Sequence, residues 1–78
     1  MSWKPEVQVI GEEPFYQNGQ TFATEPEAMK SAHALSMRWM LVRNWRAVEV
    51  DTATNPVNYK WVDGIGDVRL EEEAHVNT

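Results

Sequence analysis

Only one stretch of this chain is long enough, and free enough of breakers, to form a helix; everything around it is patterned for short strands. From Ala28 to about Arg43 there is no glycine or proline. Thr24-Glu25-Pro26-Glu27 introduces the stretch. Thr24 can cap the first turn, with Glu27 three residues later to complete a capping box. Pro26 falls where its missing N–H does little harm. Arg38 and Arg43 lie toward the C-terminal end, where the helix dipole favours cations. Ala28, Ala32, Leu35, Trp39 and Val42 recur at steps of four and three, which makes one helical stripe. Trp39, near its middle, is the expected core anchor. Ala28 and Ala32 are small enough to let the first half of the helix approach a sheet closely.

Before the helix, Glu6-Val7-Gln8-Val9-Ile10 alternates with strand period, and Gly11-Glu12-Glu13-Pro14 interrupts it. Phe15-Tyr16-Gln17 and Gln20-Thr21-Phe22 flank Asn18-Gly19. Asn-Gly between β-formers predicts a hairpin, with Phe15 or Tyr16 and Phe22 supplying its core face. After the helix, Trp45 to Val50 reads as a strand, Asp51 to Pro56 as a turn, and Val57 to Val62 as another strand. Asp63 to Asp67 is turn composition, and Val68-Arg69-Leu70 forms an optional short last strand. The predicted order is β-β-α-β-β. Folding a chain of 78 residues buries roughly 60% of its unfolded surface, enough for one thin core. The fold class is therefore α+β, a small antiparallel sheet covered on one face by a single helix. Residues 1–70 form the single domain, and residues 71–78, opening with Glu71-Glu72-Glu73, form an acidic, flexible tail.

Composition removes several function classes. Twelve acidic residues against seven Lys and Arg give a net charge of −5. That disfavours broad contact with nucleic acid or anionic lipid. There is no cysteine, hence no disulfide and no thiolate metal site. No apolar run approaches the roughly 20 residues that span a bilayer, and the N-terminus lacks a hydrophobic signal region. A cytoplasmic protein is the expectation. The paired carboxylates Glu12-Glu13 and Glu71-Glu72-Glu73 read as solvated charges, because a glycosidase needs two carboxylates across a deep cleft. His33 and His75 lie far apart, without the i, i+4 spacing of a helical zinc pair. Ser31 and Ser36 have no base arranged for nucleophilic catalysis. Gly64 and Gly66 do not make a phosphate loop. No enzyme, metal, cofactor or small-molecule substrate is predicted.

The far side of the helix is more informative. At 100° per residue, Ala34, Met37 and Leu41 lie opposite Trp39, and Met29, His33 and Met40 lie on one flank. Only Lys30 and Arg38 clearly break the apolar surface there. A helix apolar nearly all round is normally buried all round, and a chain this short has no second layer to bury it. The expected site is thus a contact with a second copy or a host protein, centred on Met37 and Leu41 with His33, Arg38 and Met40 around them. Folding of the last strand or tail over this face is the competing reading.

Charge is also segregated. Residues 28–48 hold Lys30, Arg38, Arg43 and Arg46 and no acid, between two acidic flanks. The alternative function is a nucleic-acid-binding module using Arg38, Arg43, Arg46 and Lys60, with Trp45 as a stacking surface. Pairing of these cations with acids inside the fold accounts for the same pattern.

Between Gly19 and Trp61 the chain reads G-Q-T-F-A-T-E-P-E-A, then A-L-S-M-R-W, R-A-V-E-V-D and N-P-V-N-Y-K-W. This resembles a group of small bacteriophage proteins with the plan F-A-T-x-x-E-A … R-W … R-x-V-E … P-V-N-Y-x-W. Most of the shared elements have structural explanations; Arg38, Asn58 and Tyr59 are the ones that can do more. The family carries no assigned activity. What the resemblance implies is a virus-encoded accessory protein acting in the cytoplasm of an infected bacterium. The acidic tail and the Ala53-Thr54 spacer depart from the plan.

Overall fold

The structure, a computed structural model, describes residues 1–70; the acidic segment 71–78 lies outside the described residues. The elements are β1 (Ser2–Val9), β2 (Phe15–Gln17), α1 (Glu25–Arg38), β3 (Val42–Val50), β4 (Tyr59–Val62) and β5 (Gly66–Arg69). The optional last strand is formed, as β5. The strands divide between a three-stranded antiparallel sheet, β2-β1-β3, and a two-stranded one, β4-β5. The single helix packs against β1 and β3.

β1 is central, and its two faces differ. Trp3, Pro5, Val7 and Val9 alternate with Ser2, Lys4, Glu6 and Gln8. Register places Trp45 opposite Val7 and Ala47 opposite Pro5. The His33 ring of α1 lies 5.2 Å from the Trp45 ring, which identifies this apolar face as the one the helix covers. Phe22, Ala28 and Ala32 are fully buried, with Val7, Val9 and Val42 nearly so. The two alanines let the helix sit close, as their size predicts. The opposite face is a polar ladder. Glu6 accepts from Gln17 Nε2 at 2.6 Å and from Arg46 Nε at 2.7 Å, one neighbour on each adjoining strand.

Three expectations need correction. The Asn18-Gly19 hairpin is absent. β2 pairs with β1, and the chain continues along the same edge until Phe22 bridges Trp3 with two 2.8 Å hydrogen bonds. A type I′ turn needs positive φ at both central residues, whereas here Gly19 is positive (φ 81) and Asn18 is not. The pair makes a loop-out on an edge strand. Asn18 Oδ1 accepts from Gln20 N at 3.1 Å, a local turn that this side chain favours.

The helix also ends at Arg38, short of Arg43. Trp39 is extended (φ −119, ψ 97) and closes the helix with its N–H on Leu35 O. No glycine or proline stops it. Val42 pairs with Val9, and Ile10 N donates to Leu41 O at 2.8 Å. One further helical turn would remove the start of that β1–β3 pairing. Trp39 is consequently no core anchor: it is 41% exposed, and Phe22 fills that role.

The helix start follows its sequence, with one variation. Glu27 N donates to Thr24 Oγ1, and Thr24 Oγ1 donates to Glu27 Oε1. The second carboxylate oxygen of Glu27 takes the Trp61 N–H at 2.9 Å, so the cap also holds β4. Thr24→Ala should cost about 1 kcal/mol and lower Tm by roughly 4–8 °C, read by thermal circular dichroism.

Candidate interaction surface

The early end of α1 brings a set of apolar side chains to one end of the molecule. Met37 lies in the last turn. Trp39, Met40 and Leu41 form the connection to β3, and Ile10 follows β1, joined to Leu41 through the backbone. Met40 is 90% exposed, Met37 73%, Ile10 59% and Leu41 55%. Large flexible methionines suit a surface that adapts to a partner. Arg38 and Arg43, both exposed, border the cluster in sequence. His33 lies further back on the helix, exposed and against Trp45. Four of the five expected contact residues thus lie within Met37–Leu41, and His33 stands one turn before Met37. Met40 and Leu41 reach the surface from the connection and not from the helix.

Ile10 and Trp39 are members that sequence reading missed. The signal for Ile10 was present: it is apolar, it ends an alternating run, and Gly11 follows at once with φ 84.

The five residues of the nucleic-acid alternative are distributed differently. Trp45 and Arg46 leave opposite faces of β3. Arg46 is paired with Glu6 and lies 3.7 Å over the Phe15 ring. Arg43 sits where the β1–β3 register shifts. Arg38 is at the helix end, and Lys60 belongs to the second sheet. They do not share one face.

A groove of about 610 Å³ runs between α1 and the β4-β5 hairpin, lined by Gln20, Ala34, Arg38, Tyr59, Trp61 and the Gly64 to Asp67 turn. Beneath it, Ser31 Oγ lies 3.1 Å from Asp67 Oδ2 and 3.3 Å from Gln20 Oε1. Its one hydroxyl proton serves one of them at a time. Asp67 Oδ1 is buried without a partner among the described residues. Ser31 is fully buried, so its hydroxyl braces the helix against β5 and is not presented to a substrate. At the rim, Trp61 Nε1 and Lys30 Nζ both donate to Asp63, and these bonds hold its carboxyl below the usual range. On the far edge, Tyr16 donates its hydroxyl to Glu12, and the carboxylate holds the phenol proton on, raising its pKa.

Among the described residues no group of three His, Asp or Glu is placed to hold a metal, and no helix is long and apolar enough to cross a membrane. The chain matches no protein-family model, no curated protein and no solved structure.

Proposed function

We propose that this chain is a non-enzymatic interaction module that holds a partner protein through the apolar end built from Met37, Met40 and Leu41, with His33 and Arg38 at its border. The observation that carries the reading is the exposure of Ile10, Met37, Trp39, Met40 and Leu41 together, in a domain whose buried core is made of much smaller residues apart from Phe22. Large exposed apolar patches on soluble domains mark contact sites. The bordering Arg38 and Arg43 suit a partner whose apolar groove or helix carries an acidic rim. The resemblance to small bacteriophage proteins supports a protein of an infected bacterium as that partner.

The double substitution Met37→Asp with Leu41→Asp tests this reading. Both positions are exposed, so the stability measured by urea unfolding should change by no more than about 0.5 kcal/mol, while retention of the partner on the tagged protein is lost. An unfolded double variant would show that these side chains belong to the core. Undiminished retention would move the contact elsewhere.

A further inference from the structure

We propose that β3 is a self-pairing edge, through which a second copy of this chain continues the sheet as β2-β1-β3-β3-β1-β2. β3 ends the strand order and has no strand beyond it among the described residues. It is nine residues long. Edge strands are usually blunted by proline, by shortness, by a bulge or by charged side chains; of these β3 has the charges Arg43, Arg46 and Glu49, which a partner strand must match. β3 has no proline, and its one irregularity lies at its start, where β1 shifts register between Gln8 and Val9.

The direction of its free backbone groups follows from β1. Trp3 gives both its N–H and its C=O to Phe22, on the side away from β3. In an antiparallel ladder the residue opposite such a position also turns its groups outward. Glu49 is opposite Trp3, Ala47 is opposite Pro5, which has no N–H to give, and Trp45 is opposite Val7. Trp45, Ala47 and Glu49 therefore present their N–H and C=O groups to solvent on the open edge, three residues in phase.

Charge then selects the partner and the register. β3 and the residue after it are basic at the start, with Arg43 and Arg46, and acidic at the end, with Glu49 and Asp51. Antiparallel pairing with an identical strand sets each basic half against the other's acidic half. A two-fold axis at Ala47 makes Ala47 a hydrogen-bonded pair with its own copy. It places Trp45 opposite Glu49 and Arg46 opposite Val48, and brings Arg43, the residue at the register shift, toward Asp51, the first residue beyond β3, whose carboxylate also accepts from Ala53 N. An axis at Arg46 or at Glu49 would oppose like charges, which destabilises cross-strand pairs, and an axis at Trp45 or Val48 would set no charged residue opposite another. The helices also fit. α1 packs over β1 and β3; an axis midway between those two strands stands about one strand spacing, ~5 Å, from the seam. Two copies then lie about 10 Å apart, a normal helix-packing distance. Met29, one turn ahead of His33 and partly exposed, lies on the flank nearest β3. The Met37–Leu41 ends remain open at the two ends of the joined sheet, so this inference stands apart from the proposed partner contact.

The test is amide hydrogen exchange of the full chain at rising concentration, with the mass followed by sedimentation. The expected result is a dimer in which the Trp45, Ala47 and Glu49 amides gain protection as dimer forms. Ala47→Pro removes the central outward donor without touching the β1 ladder and should give a folded monomer. Arg43→Glu sets like charges against Asp51 twice per dimer and should raise the dimer dissociation constant roughly tenfold; it decides the matter if Ala47→Pro fails to fold. The Met37→Asp, Leu41→Asp variant should remain dimeric. A wild-type chain that stays monomeric at high concentration, or a dimer indifferent to Arg43→Glu and without protection at these three amides, overturns the proposal.

Discussion

Phe22→Ala should remove a large share of the domain's stability. Phe22 is the largest fully buried side chain, and its ring lies 6.2 Å from that of Tyr59. It stands where both sheets and the helix meet: its backbone is bonded to Trp3 of β1, and the preceding Thr21 O accepts from Asn58 and Tyr59 at the start of β4. Emptying such a site costs about 3–5 kcal/mol. A chain this long is stable by roughly 4–12 kcal/mol in all. Phe22→Leu keeps much of the volume and should retain the fold. Urea unfolding of the two variants measures the difference. A loss below about 1 kcal/mol for the alanine variant would mean that the core is anchored elsewhere.

Asn58→Ala should release the β4-β5 hairpin from the rest of the molecule. Its Oδ1 accepts from Thr21 N at 2.8 Å, and its Nδ2 donates to Gly19 O at 3.1 Å. Its backbone N–H goes to Thr21 O, and its own carbonyl accepts from Leu70 N. One side chain therefore clamps the 19–21 loop-out to the second sheet. Thr21 is almost fully buried, so the alanine variant leaves its N–H without an acceptor. That penalty is about 1–3 kcal/mol. Amide exchange in Tyr59–Val62 and Gly66–Arg69 should accelerate more than in β1. Asn58→Asp keeps the acceptor and loses only the exposed bond, so it should be milder. Equal effects of the two substitutions would show that the Thr21 bond is not the one that matters.

What could be read from the sequence was local chemistry. The Thr24 cap, the close approach through Ala28 and Ala32, the burial of Phe22 and the β-β-α-β-β order with its extra strand all follow from short-range pattern. Non-local pairing decided the rest. Trp39 falls on a good helical stripe, but Val42 is worth more to the fold as the partner of Val9 than as another helical residue. Asn18-Gly19 carries the chemistry of a tight turn, yet only Gly19 uses its conformational freedom, and the chain runs on along β1. The apolar cluster was legible only as the far face of a helix with no second layer to cover it; Met37, Met40 and Leu41 follow from that reading, and of the three only Met37 lies on the helix. Ile10 carries a signal as the apolar end of an alternating run before Gly11, but its place beside Trp39 in the cluster depends on where α1 stops and on how β1 meets β3. The clamp by Asn58 links residues far apart in sequence, and no spacing rule exposes it.

The central claim is that the end of the molecule around Met40 holds another protein. A photo-reactive benzoylphenylalanine placed at Met40 tests it most directly, with a second probe at Thr52, an exposed turn residue after β3. After irradiation in nuclease-treated bacterial lysate, the Met40 probe should give one discrete heavier adduct containing a bacterial protein. The Thr52 probe, which the proposed β3 seam sets beside a second copy of this chain, should attach no bacterial protein. The same adduct from both positions, or no bacterial protein attached at Met40, would contradict the account.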